Sequence, residues 1–284
     1  MPKENYYKTS KQVRPLRLLL LLLVTILSGS AISLLYLYLV RIIPLVYLVF
    51  LVTLLFGSLT GSIGALICHL LKIRNSVLAM AVSSVGILAF TYVKWAAFIS
   101  YQIKDSYFFI LPDLLRNPIY LTEKIALLNE YGTWSIGTST TPVHGIILTI
   151  VWLFEFMIYA LIHMIIIYAK TTNPFIEKDN TWARQHKSIF YLRVFDVKKN
   201  VSEIEKNPKV LLSHLEKKQY TENVNHVELQ LFHSADFSEN YVNVSEMSVN
   251  SKNGKNGRRI IKNLSVSRDF VQELFAYHDL SMST

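Results

Sequence analysis

The sequence predicts a membrane all-α four-helix transmembrane bundle followed by a small cytoplasmic α+β domain. Three observations carry that expectation. Of 284 residues, 51% are hydrophobic and 17% charged, with a mean hydropathy of +0.31, a balance too apolar for an average soluble chain. The apolar excess falls into four runs, at residues 18–40, 45–71, 76–99 and 143–169, each long enough to cross a hydrocarbon layer of roughly 30 Å. Beyond residue 169 the chain turns polar, with enough length left for one small domain.

Charge divides in the same way. Residues 1–169 hold 12 basic and 6 acidic side chains, and residues 170–284 hold 17 and 14. The near balance of the tail speaks against nucleic acid as a partner, because phosphate binding needs a concentrated basic patch. Cys68 is the single cysteine, so the chain can form no internal disulfide and no cysteine-built metal site.

The first 17 residues form a basic amino-terminal segment, with Lys3, Lys8, Lys11, Arg14 and Arg17 ahead of the first run. A basic start, a leucine run and Ser28-Gly29-Ser30-Ala31 could pass for a cleaved secretory signal. The apolar run continues for nine residues past Ala31, which favours an uncleaved anchor. Arg41 and Pro44 mark a short connection to the second run, and Tyr36, Tyr38 and Tyr47 are expected as interfacial rings at that bend. Within the second run Gly57, Gly61 and Ala65 recur every four residues, a face that lets another helix approach closely. Packing inside the bundle is the first reading of that face; a homo-oligomer seam or a lined pore is the alternative.

Lys72 and Arg74 form a basic link to the third run, which contains Lys94 beside Tyr92 and Trp95. A lysine near a helix end is expected to snorkel to the interface, the alternative being a partner on the fourth run. Residues 104–142 form the longest connection. In it Asn117-Pro118 reads as a helix start and Gly132 as its stop. Leu121, Ile125 and Leu128 share one helical face, so this helix should rest on the membrane surface or on the bundle. Lys and Arg concentrate at the amino end, the second link and the tail, which places both termini in the cytoplasm and the 104–142 loop outside.

The fourth run carries the residue most in need of explanation. An ionised Glu155 at mid-bilayer would cost at least about 2.5 kcal/mol unless it faces the bundle, is protonated or is paired. Trp152, Glu155, Tyr159 and His163 follow 3, 4 and 4 spacing and so form one stripe, with Lys94 as a candidate member of the same polar cluster. A hydrogen-bonded structural cluster, an ion or proton path, and a catalytic acid or ligand contact are the readings left open. Glu155 and His163 lie about 12 Å apart along a helix and cannot share a metal ion, and His69 with His163 alone would make a poor site. No catalytic residue, metal site or cofactor is expected, since zinc-protease, serine-hydrolase and phosphate-loop signatures are missing.

Residues 170–187 read as a linker with an interfacial tip at Trp182, and residues 188–284 as the cytoplasmic domain. Strands are expected at 188–196, 224–232 and 241–249, and a helix at 208–219 capped by Asn207. A hairpin turn should fill residues 252–257, with a strand through Ile260, Ile261 and Leu264, and Ser267 should cap a last helix.

The layout resembles a group of uncharacterised bacterial four-span membrane proteins. The residues that carry the likeness are Ile43-Pro44-Leu45-Val46-Tyr47, Gly132-Thr133-Trp134-Ser135-Ile136-Gly137, Trp152 with Glu155, and Pro174-Phe175 with Trp182. The resemblance implies cysteine pairs where this chain has Ile176 and Asp179, and again where it has Ser234 and Phe237, so any metal ribbon of the group would be lost here. The expected role is that of a non-catalytic, membrane-anchored module whose cytoplasmic domain meets a protein partner, with membrane lipid around the spans. The alternatives are a transporter or channel subunit using the Glu155 stripe and, third, an intramembrane enzyme.

Overall fold

The computed structural model describes residues 5–9, 13–42, 46–102, 110–135, 141–187, 189–192, 197–217, 225–250 and 254–278. The chain divides into two compact units, Ser10–Thr172 and Met1–Thr9 together with Asn173–Thr284.

The first unit is helical. Its long helices are α1 (Pro15–Ile42), α2 (Val46–Leu70), α3 (Ser76–Gln102) and α6 (Gly145–Thr171), all long and apolar enough to cross a membrane. Their outward faces carry large apolar side chains such as Leu27, Leu55, Leu88 and Ile165, each at least 60% exposed. So much exposed apolar surface is compatible with a membrane setting. The expected 43–45 connection and most of the Gly132–Gly137 motif's end, residues 136–140, lie outside the described residues.

Small residues decide how α2 meets α6. A Cβ on Gly57 would lie 2.9 Å from the Tyr159 Cα, and one on Gly61 would lie 2.9 Å from the His163 Cα. The third contact comes from Gly64 against Ile167, one residue before the expected Ala65, which is itself buried. The small-residue face is therefore spent on packing within the bundle, as its first reading held.

Between α3 and α6 lie α4 (Leu111–Arg116) and α5 (Pro118–Tyr131). The Asn117 side chain accepts from the Tyr120 amide, and Gly132 ends α5 at φ 82° while donating to the Leu128 carbonyl. Both caps are those the sequence predicts; α4 is an addition. Leu121 is buried against Ala96, Ile99 and Leu114, with Ile125 and Leu128 alongside, so α5 rests on α3.

The second unit is an antiparallel sheet with helices on one face. Strands β4 (Phe190–Leu192), β5 (Leu215–Glu216), β6 (His226–His233), β7 (Asn240–Asn250) and β8 (Gly254–Val266) run in the order β5-β4-β6-β7-β8, and β3 (Arg184–Gln185) also pairs with β6. Alternation puts Val227, Leu229 and Leu231 of β6 opposite Glu246, Val244 and Val242 of β7. The apolar members of that face meet α8 (Arg268–Tyr277) through Phe270, Val271, Leu274 and Phe275. Ser267 caps α8, accepting from the Phe270 amide as expected.

Several expectations need correction. The predicted 208–219 helix is a 3-10 turn, Pro208–His214, that gives way to β5, although Asn207 does cap it by accepting from the Lys209 amide. Helix α7 (Val197–Lys206) was not anticipated. The hairpin turn is narrower than 252–257, because β8 pairs from Gly254 onward and Asn256-Gly257 lies inside the strand opposite Ser248 and Met247. Residues 173–187 belong to the second unit and are no linker. There β1 (Phe175–Ile176) pairs with β2 (Thr181–Trp182), and Trp182 packs edge-on against Phe175 at 5.3 Å, which accounts for an indole expected at the interface.

The amino terminus also joins this unit. Tyr7 donates its amide to the Asn263 carbonyl and the Ser265 amide donates to the Asn5 carbonyl, so residues 5–7 extend the sheet past the free edge of β8. The Tyr6 hydroxyl donates to Glu205 of α7 at 2.7 Å.

Candidate functional site

The polar groups of the bundle meet at one level. Glu155 lies ten residues into α6 and Lys94 eight residues before the end of α3, about 15 Å and 12 Å from the end that carries α4 and α5. Because α3 and α6 run in opposite directions, those depths bring the two side chains together. Lys94 Nζ donates to Glu155 Oε1 at 2.7 Å. Lys94 is buried, at 9% exposure, so the snorkelling expectation fails and the partner on the fourth run is the outcome.

Tyr36 of α1 donates to the same Glu155 oxygen and lies 3.3 Å from Thr53 Oγ1 of α2. It was expected as an interfacial ring, yet it is 4% exposed and turned into the bundle. Its ring also stands 4.4 Å from Lys94 Nζ, within cation–π range. One carboxylate thus ties α1, α3 and α6 together.

Below this level the described side chains of the interior are buried. Tyr159 is 1% exposed and its hydroxyl is 2.7 Å from Thr91 Oγ1. Phe56 stacks edge-on against both Tyr159 and Phe90, at 5.1 and 5.7 Å. His163 is fully buried one turn further down, with Nδ1 3.2 Å from Thr60 Oγ1 and Nε2 without a hydrogen-bond partner among the described residues. The predicted stripe exists as a line on α6, but it is divided: Tyr159 and His163 are core, and Trp152 and Glu155 face open space.

That space is a cavity of about 370 Å³ above the ion pair. Its floor is Tyr36, Lys94 and Glu155. Its walls are Trp95 and Phe98 of α3, Val151 and Trp152 of α6, Leu37 and Val40 of α1, and Val49 of α2. Tyr101, Gln102, Thr133 and Trp134 line the end nearest α5. Trp95 and Trp152 meet edge-on with ring centroids 4.8 Å apart. Sequence reasoning found Trp152 and Glu155 but missed Tyr36, Trp95 and Trp134 as cavity residues. The available signal was three of the chain's four tryptophans near the loop ends of the third and fourth runs.

Among the described residues no group of three or more metal-ligating side chains comes together. The positions at which the resemblance implies cysteine pairs do fall in two neighbouring turns. Ile176 and Ser234 are buried, and Lys178 Nζ reaches Asp236 Oδ2 across the turns at 2.7 Å. Asp236 also accepts from the Ser234 and Ser238 hydroxyls and the Ser238 amide. The Lys178 hydrogen bond, followed by those from Ser238 and Ser234, holds this carboxyl far below the usual range. An ion pair and hydroxyl hydrogen bonds therefore join these two turns.

No family model, curated protein or solved structure matches the chain.

Proposed function

We propose that this is a non-catalytic integral membrane protein that binds a small ligand in the cavity at the α4–α5 end of its four-helix bundle and presents a folded polar domain to a protein partner. The observation that carries this reading is the blind shape of the site. An aromatic-walled cavity reaches an ion pair and stops on buried rings, the architecture of a binding pocket rather than of a path. A catalytic role is disfavoured because, among the described residues lining the cavity, Glu155 is the one carboxylate and no nucleophile and base set stands beside it.

The pairing of residues 5–7 with β8 supports having both termini on one face, and the basic residues flanking α1 and the α2–α3 link support the cytoplasm as that face. In that orientation the cavity opens outward from a plasma membrane.

A transporter using Glu155 is the second reading, favoured by an acid that touches both an intramembrane cation and open space. Proton flux into vesicles carrying the purified full chain separates the two. Binding without transport predicts the same flux for the wild type, Glu155→Gln and protein-free vesicles. A flux that Glu155→Gln abolishes would replace the binding reading with the transporter.

A further inference from the structure

We propose that the cavity takes a small organic ammonium group, with Glu155 Oε2 as its counter-ion and the indoles of Trp95, Trp134 and Trp152 as its cage; this deepens, and rests on, the binding reading above. The sign of the ligand follows from which partner of the ion pair faces the open space. Lys94 is the deeper of the two, its side chain 11% exposed against 22% for Glu155. Its Nζ is enclosed by Oε1, the Tyr36 ring at 4.4 Å and the Tyr159 ring at 5.1 Å. The cation is spent on the floor.

Glu155 is spent on one oxygen only. Oε1 accepts from both Lys94 and Tyr36, and Oε2 accepts from no described residue. A carboxylate oxygen without a donor, in a recess walled by indoles, asks for a group that brings positive charge. Ring faces reward the same charge, most strongly for indole and most of all where water is displaced. An anion would find the carboxylate to be the more exposed partner of the pair. A neutral apolar guest would cover Oε2 and bring no compensating charge. The volume of about 370 Å³ suits a head group or small amine rather than a whole lipid. The ammonium could belong to a phospholipid head group or to a free soluble amine.

Three of the four tryptophans line the cavity, so their emission reports occupancy. The test titrates choline into the full chain held in phosphatidylglycerol nanodiscs. Parallel titrations use its neutral isostere, with tert-butyl in place of trimethylammonium, and an alkyl sulfonate. The proposal predicts saturable binding of choline, at least about tenfold weaker binding of the isostere and none of the sulfonate. Trp152→Leu and the charge-free double variant Lys94→Met/Glu155→Gln should each weaken choline by about tenfold or more. Repeating the titration in phosphatidylcholine nanodiscs identifies the source. Loss of the choline response there marks a lipid head group, its persistence marks a free amine, and either supports the ammonium. Equal binding of choline and isostere, or preference for the sulfonate, would overturn the ammonium and leave the pocket standing. Silence toward all three would remove the pocket as well.

Discussion

Lys94 Nζ and the Tyr36 hydroxyl converge on a single oxygen of Glu155, the lysine at 2.7 Å, so the carboxylate that looks most like a functional group is also a tie between three helices. Removing one partner of such a pair leaves an uncompensated charge in an apolar interior, whereas removing both does not. Lys94→Met alone should therefore lower the stability of the detergent-solubilised chain by about 3 kcal/mol, and Lys94→Met/Glu155→Met should recover most of that loss. A double variant as unstable as the single one would mean that the pair does not interact.

The contact between α2 and α6 depends on atoms that are missing. With a Gly61 Cβ only 2.9 Å from the His163 backbone, Gly61→Val must push the helices apart, at an expected cost of about 1 to 3 kcal/mol. Thermal unfolding in detergent measures it. Since that face is buried within one chain, the variant should leave the oligomeric state seen in sedimentation unchanged.

The amino-terminal strand makes its own prediction. The Tyr6 hydroxyl donates to Glu205 from a partly buried position, and burial, followed by that hydrogen bond and the Glu205 charge, raises its pKa well above the ordinary tyrosine range. Tyr6→Phe should destabilise the polar unit by about 1 kcal/mol, seen as faster hydrogen exchange at Ser265 and its neighbours on β8. Unchanged exchange would mean that residues 5–7 do not hold that edge.

Acidification should loosen the same unit through His233. Its ring lies flat on Phe237 with centroids 4.1 Å apart. Burial lowers its pKa, only partly offset by the Nδ1 hydrogen bond to the Ser234 carbonyl. A histidine whose folded pKa is depressed binds protons more readily when unfolded. Its contribution is therefore complete above about pH 6.5 and falls away as pH drops toward the folded value. Protection of the β6 amides should decline between about pH 7.5 and about pH 5, and His233→Phe should flatten part of that decline.

The four long helices could be read from the sequence because each is an apolar run of more than 20 residues with at most one charged side chain, and that signal is local. Caps at Asn117, Gly132 and Ser267 were legible for the same reason. Lys94 was misassigned because α3 continues to Gln102, which moves the lysine about 12 Å inside its helix and out of snorkelling reach. Tyr36 was taken for an interfacial ring because its partner is 119 residues away, and no local pattern announces such a contact. Helix α7 has the periodic residues Val197, Val201 and Ile204, but three lysines and two glutamates in ten residues concealed them. The pairing of residues 5–7 with β8 joins the two ends of the chain and leaves no trace in either segment alone.

The central claim is that open space reaches from the α4–α5 end of the bundle to the Lys94–Glu155 level and ends there. Single cysteines in a Cys68→Ala chain, treated with a membrane-impermeant thiol reagent, address it directly. Val49→Cys, on the cavity wall, should be modified from the face that carries α5. Thr60→Cys, which is 2% exposed below the floor in the wild type, should remain unmodified from both faces. An unreactive Val49→Cys, or a Thr60→Cys modified as fast as Val49→Cys, would contradict the account.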